Sequence, residues 1–266
     1  MSIDHVLFLI TDPKSVYLEI IFKYFKSKKF NLNKKKITIV GDSIFIKKEA
    51  KKNNFRRTFN QVKDILDTKK NFINILDVKL NKKIKAPDFS DYISVGFEKC
   101  ISIIKKNKKI ALLNGPINKK KFLKKKYLGI TEYLAKKTNT KNPVMLIYNN
   151  KISVSPITTH LPIKHISKNI KKFKIIKNIR SINSFYKNYL RITPKIAVLG
   201  LNPHCETTDK IGEEEKAIVP AIKKLKKDKI SVRGPFSADT FFIKKNIDYY
   251  DVVIGMYHDQ ALTPLK

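Results

Sequence analysis

Cysteine is nearly missing from this chain: Cys100 and Cys205 are the only two among 266 residues. Two thiols in a chain of this length make no disulfide framework, which points to a reducing compartment. Long hydrophobic runs are missing too, none approaching the ~18 residues that a bilayer span requires. The opening MSIDHVLFLITD places an acid ahead of a short apolar run, and no small-residue cleavage site follows. A signal peptide would carry a basic head there. Neither an internal repeat nor a Gly/Ser-rich linker interrupts the chain, and Gly-rich dinucleotide fingerprints are absent. These absences argue against a secreted, disulfide-stapled or membrane-spanning protein and point to a soluble cytoplasmic one. With 42% hydrophobic and 10% aromatic residues, the chain has ample material for a core.

Acidic residues are the remaining shortage. Lysine and arginine number 57 against 22 Asp and Glu, a net charge of +35. Such a field suits anionic partners, and nucleic acid is the obvious one. Only five of these cations are arginine, however: Arg56, Arg57, Arg180, Arg191 and Arg233. Base edges and phosphates are gripped preferentially by arginine forks. The lysines run the whole length, as in KKNKK at 105–109, KKKFLKKK at 119–126 and KKLKKDK at 223–229, and Asn and Ile are abundant as well. This is the pattern of a solvated lysine-rich surface produced by compositional drift, so nucleic acid is not the expected partner. An enzyme acting on a phosphorylated substrate is served by the same field.

Strand-like and helix-like stretches alternate. Apolar runs at 6–10, 37–40, 73–78 and 110–114 read as buried strands in the first half. A helix is expected after the first run, with Asp12 as N-cap and Pro13 in its first turn; another can start at Gly41-Asp42-Ser43. Residues 91–106 carry apolar positions at helical spacing, and residues 55–90 give no detailed reading. In the second half, 121–138 looks helical with an interruption near Gly129, and 144–148 and 152–159 read as neighbouring strands. A helix at 182–190 precedes the strand KIAVLGLN at 195–202. The cleanest helix is 213–227, with three glutamates in its first turn complementing the helix dipole. Strands at 230–232 and 251–257 close the series. Such alternation implies an α/β protein with a largely parallel sheet.

Three of the five histidines stand at the carboxyl ends of strand-like runs: His160 in TTHLP, His204 in LNPH and His258 in YHDQ. That edge is where open α/β sheets place ligands. Taken singly, each is more often a hydrogen-bonded strand-end histidine than a ligand. Taken together, three imidazoles with an open position suit Zn²⁺ or another borderline divalent metal in a catalytic role. Cys205 stands next to His204 and reads as a bystander rather than a fourth ligand. His5 and His165 read as structural or solvent-exposed.

The strings LLNGPINKK (112–120), GITEYLAKKTNT (129–140), ITTHLPIKHI (157–166), IAVLGLNPHCE (196–206), GEEE with IVPAI (212–222), GPFSADTFF (234–242) and YDVVIGMYHDQALTPLK (250–266) resemble the 4-hydroxythreonine-4-phosphate dehydrogenase family. The match is collinear from about residue 110 onward and looser before that. The resemblance implies the two-lobed isocitrate/isopropylmalate dehydrogenase-like α/β/α fold, with a first lobe at 1–112 and a second at 113–266. It implies NAD-dependent oxidation of 4-phosphohydroxy-L-threonine at C3, followed by decarboxylation, in pyridoxal 5′-phosphate synthesis. NAD and a divalent metal (Zn, Mg or Co) are the implied cofactors. A homodimer with shared active sites is implied as well, the metal-binding histidines coming from both subunits. Carried over by position, the metal ligands fall on His160, His204 and His258. Thr131, Asp239 and Lys266 fall on substrate-binding positions, the last two also on catalytic ones.

Three departures accompany the likeness. Thr11-Asp12-Pro13-Lys14-Ser15-Val16-Tyr17-Leu18-Glu19 replaces a Gly-rich turn, and Ile130 replaces the family's substrate-contacting histidine. Family members also continue beyond the position of Lys266, with a section that returns to the first lobe and holds much of the NAD site. A related dehydrogenase with a different hydroxy-acid substrate, or an inactive fragment, is therefore the alternative reading.

Overall fold

The computed structural model describes residues 3–32, 34–80, 89–124, 126–127, 129–141, 143–206 and 212–265. The chain divides into two units, 1–141 and 142–266. In the first, β1 (His5–Leu9), β2 (Lys36–Gly41), β3 (Phe59–Val62), β4 (Ile73–Asp77) and β5 (Ile110–Asn114) form a five-stranded sheet in the order β3-β4-β2-β1-β5. Every pairing in it is parallel. Helices α1 (Tyr17–Lys26), α2 (Ser43–Lys52), α3 (Ser90–Lys106), α4 (Lys119–Leu123) and α5 (Ile130–Lys137) complete this unit.

The strands are apolar on both sides because both sides are covered. Leu7, Leu9, Val40 and Leu76 pack under Phe97 and Ile101 of α3, Leu123 of α4 and Tyr133 of α5. The alternate residues Phe8, Ile39 and Ile75 pack under Leu18 and Phe22 of α1 and Ile46 of α2. Helices α4 and α5 share a core with α3, and the first compact unit runs to Lys141.

The second unit holds β6 (Ser153–Thr158), β7 (Ile196–Leu199), β8 (Val232–Phe236) and β9 (Val252–Tyr257), in the order β6-β9-β7-β8 and again parallel throughout. Its helices are α6 (Ile166–Asn169), α7 (Lys172–Phe185), α8 (Val219–Lys227), α9 (Ala238–Phe241), α10 (Lys244–Tyr249) and α11 (His258–Leu262). Val198, Val232, Ile254 and Met256 face α7 and α8, while Ala197, Leu199 and Val253 face Phe241 of α9 and Ala261 of α11. Pro156 sits within β6, an edge strand, where its missing N–H leaves no ladder partner stranded.

Four sequence expectations need correction. Asp12 caps no helix: its Oδ1 accepts from the Lys14 N–H in a turn, and α1 begins at Tyr17. Residues 144–148 form no strand of the sheet and make one antiparallel bridge, Ile147 to Val154. The helix expected at 182–190 begins at Lys172 and ends in a π-helical turn over Tyr186–Leu190. Its apolar stripe of Ile175, Ile179, Ile182 and Tyr186 is diluted by the intervening lysines. Strand β7 stops at Leu199, not 202, because the chain turns away at Gly200.

Candidate functional site

In the second unit, each strand delivers a polar residue to the carboxyl edge of the sheet. Strand β6 leads to His160, β9 directly to His258, β7 through a short loop to His204, and β8 to Asp239. Along the sheet order the edge therefore presents His160, His258, His204 and Asp239 on successive strand ends. Adjacent strands lie ~4.8 Å apart, so neighbouring side chains on this edge can serve one ligand.

The rings of His160 and His258 stand 5.9 Å apart between centroids, tilted by 37°. The hydroxyl of Thr158 donates to the Met256 carbonyl at 2.8 Å and ties β6 to β9 just below this pair. His258 Nδ1 lies 2.7 Å from Asp259 Oδ1. With Nδ1–H donating to that carboxylate, the Nε2 lone pair is left for a ligand.

His204 is presented differently. Its backbone is left-handed, φ 55°, as is that of Cys205 at φ 61°. A non-glycine residue there costs about 1–2 kcal/mol, so the surrounding structure must enforce it. Glu214 does much of this. It is 2% exposed. Its Oε1 accepts from the Leu201 and Asn202 N–H groups at 2.8 and 3.0 Å, and its Oε2 accepts from Asn202 Nδ2 at 2.9 Å. A second tie comes from Gln260, whose Nε2 donates to the Gly200 carbonyl at 2.8 Å while its Oε1 accepts from the Met256 N–H at 2.7 Å. Gly200 is needed for closeness, since a Cβ there would lie 2.7 Å from Cys205 Sγ.

Asp239 is exposed. Its carboxyl is held below the usual carboxylate range, first by the Ser237 hydroxyl donating at 2.6 Å, with a smaller contribution from the charge of His204. Cys205 is a free thiol pushed up by burial.

Of the residues singled out from sequence, one chain thus pairs His160 with His258 and sets His204 within electrostatic reach of Asp239. Among the described residues, no three of His, Cys, Asp and Glu converge closely enough to hold a metal. Thr131 is exposed in the first turn of α5, in the first unit. The preceding Ile130 packs into the apolar cluster beneath that helix. Lys266 lies outside the described residues. His5 and His165 stand apart from this edge: His5 is buried in β1 and His165 is exposed in a turn.

Sequence reasoning missed Glu214, Asn202 and Gln260. From sequence alone, Glu214 is only one of three glutamates that complement the helix dipole. The signal against that was present, because Glu214, Ala217, Ile218, Ala221, Ile222 and Leu225 follow the spacing of one buried helical face.

The chain shares its fold with dehydrogenases. It matches the crystal structure of 4-hydroxythreonine-4-phosphate dehydrogenase from Klebsiella pneumoniae with a TM-score of 0.79, at 25% identity, over 98% of this chain and 84% of that one. Among relatives, 4-hydroxythreonine-4-phosphate dehydrogenase of Sulfurihydrogenibium sp. is 34% identical over 263 residues, 96% of this chain and 80% of that protein. A protein of Oceanobacillus iheyensis with the provisional name D-threonate 4-phosphate dehydrogenase is 30% identical over 267 residues, with the same coverage of each. The family model of pyridoxal phosphate biosynthetic protein PdxA matches residues 33–266, and the chain belongs to that family. No helix among the described residues is long and apolar enough to cross a membrane.

Proposed function

We propose that this protein oxidises 4-phosphohydroxy-L-threonine at C3 with NAD and that the product loses CO₂ to give 3-amino-2-oxopropyl phosphate, in pyridoxal 5′-phosphate synthesis. In this reaction the C3–H leaves as hydride to NAD and the C3 hydroxyl loses its proton; the bond from C2 to the carboxylate carbon then breaks to release CO₂, its electron pair forms the enolate, and C2 takes up a proton. The observation that carries the reading is the placement of His160, His258, His204 and Asp239 on successive strand ends in a chain of this family. When bound, NAD supplies the hydride acceptor, and a divalent metal (Zn²⁺, Mg²⁺ or Co²⁺) supplies a Lewis acid that lowers the hydroxyl pKa.

The donor set fits a borderline divalent ion: three imidazoles at one sheet edge, one with its Nδ1 already committed to Asp259. Following the family resemblance, the three imidazoles are drawn from two copies of the chain, with a homodimer as the working unit; the pairing of His160 with His258 within one chain is compatible with this. Asp239, ionised at neutral pH, accepts hydrogen bonds from polar substrate groups. Thr131 donates its hydroxyl to substrate, and Lys266 balances phosphate or carboxylate charge. The lysine-rich surface raises the local concentration of such an anion. The expected compartment is the cytoplasm.

Elemental analysis of dialysed protein tests the ligand set. His204→Ala should lose the bound divalent metal that the parent chain retains, and unchanged metal content would sink the assignment. A second reading is favoured by Ile130, where a hydrocarbon stands in place of a substrate-contacting imidazole, and by the Oceanobacillus relative. In that reading the substrate is another phosphorylated hydroxy acid. Comparing kcat/KM for 4-phosphohydroxy-L-threonine and D-threonate 4-phosphate decides between them, the preferred substrate being the faster one by at least about tenfold, or about 1.4 kcal/mol.

A further inference from the structure

We infer that Glu214 is a positioning residue for His204, fixing the angle at which that imidazole meets a metal. The inference rests on the proposed metal site. A carboxylate that is 2% exposed is costly to bury unless every lone pair facing the protein is used. Glu214 meets that cost by accepting from the backbone of Leu201, the backbone of Asn202 and the side chain of Asn202. The three donors belong to the two residues immediately before Pro203 and His204. Asn202 Nδ2 also donates to Glu213 Oε2 at 2.9 Å, so the Asn202 amide is clamped between two carboxylates and cannot turn over without facing one with its own oxygen.

Downstream, the Cys205 N–H donates to the Asn202 carbonyl at 3.1 Å and the Glu206 N–H to the Pro203 carbonyl at 3.0 Å. These close a tight turn on His204 with its φ at 55°. The loop is therefore held at Gly200 by Gln260, at 201 and 202 by Glu214, and again beyond His204. The imidazole projects from a turn whose left-handed backbone at His204 and Cys205 is held from the buried side. A purely structural carboxylate would move stability alone; a positioning one also moves the affinity of whatever His204 binds.

The test measures Zn²⁺ affinity of the full chain by competition with a chromophoric chelator, alongside melting of the metal-free protein. Four proteins are compared: the parent, His204→Ala, Glu214→Gln and Asn202→Ala. Glu214→Gln keeps the shape and the acceptor for the two backbone N–H groups but turns an N–H₂ toward Asn202. The expected result is Zn²⁺ bound at the parent stoichiometry but about 10–100-fold more weakly. Co²⁺ in place of Zn²⁺ should show an altered visible absorption spectrum in Glu214→Gln. Parent-like affinity in a folded Glu214→Gln, with His204→Ala impaired, overturns the positioning role and leaves the metal site standing. Parent-like affinity in His204→Ala, or no binding by the parent, overturns the metal reading and this inference with it. Should Glu214→Gln fail to fold, Asn202→Ala decides alone: weakening of Zn²⁺ binding supports the role and parent-like binding overturns it.

Discussion

Glu214 and His5 are both buried, and they answer the cost of burial in opposite ways. Glu214 accepts three hydrogen bonds, whereas His5 sits 5% exposed beside Thr38 Oγ1 at 2.8 Å and is driven to its neutral form. Burial first, and the charge of Lys36 second, lower its pKa from 6.5 to about 4. The folded pKa lies below the unfolded one, so the stabilisation is complete above pH 6.5 and is lost as pH falls from there toward 4. The full effect is on the order of 3–4 kcal/mol at 1.36 kcal/mol per pKa unit. Urea denaturation across that range should show the parent losing more stability than His5→Gln, and parallel curves would refute it. At this scale the strand-end placement of His160, His204 and His258 was legible, because each follows an apolar run that stops just before it. Glu214 was not, because a run of three glutamates reads as surface charge unless the buried face is traced through the residues that follow.

Elements were legible where capping and apolar runs agreed. Helix α2 was expected from Gly41-Asp42-Ser43, and Asp42 does cap it, its Oδ1 accepting from the Phe45 N–H at 2.8 Å. Its Oδ2 also accepts from the Leu80 N–H at 2.9 Å, a contact to a distant loop that no local pattern could show. Asp42→Ala should therefore cost more than the ~1 kcal/mol typical of a cap, about 2–3 kcal/mol in chemical denaturation. A loss under about 1 kcal/mol would mean that the second bond contributes nothing. Strand β3 escaped reading because Phe59–Val62 carries Asn60 and Gln61 and draws its pairing from β4 alone. Buried Asn74 helps fix that edge, its side chain bonded to Asn60 and to the Ile37 carbonyl. Conversely, 144–148 is apolar enough for a strand yet makes a single bridge, since hydrophobicity reports burial and not the presence of a neighbouring ladder. Gly234 in β8 has φ +137°, and a Cβ there would lie 2.3 Å from the Val198 carbonyl oxygen. Gly234→Ala should lower stability by at least about 2 kcal/mol, measured by thermal or urea unfolding.

For the whole molecule, the collinear strings from residue 110 onward carried the family, and the family match from 33 to 266 extends that into the first unit. Division into compact units rests on tertiary packing that no local pattern shows: helices α4 and α5 pack with α3, and the first unit runs to Lys141. The proposed shared-site homodimer makes a prediction that belongs to this scale. Mixing two inactive variants that carry lesions in histidines donated by different copies should restore about a quarter of the parent activity, because half the random dimers then hold one intact site. Pairing each two of His160→Ala, His204→Ala and His258→Ala maps which imidazoles share a copy, and no recovery in any pairing would contradict shared sites.

The most direct test of the central claim is reduction of NAD by the purified chain with 4-phosphohydroxy-L-threonine, followed before and after removal of divalent metal by a chelator. The account predicts NADH and CO₂ in equal amounts, activity abolished by chelation, and activity restored by Zn²⁺, Co²⁺ or Mg²⁺. Turnover undiminished by complete metal removal, or no NADH from the metal-loaded chain, would contradict it.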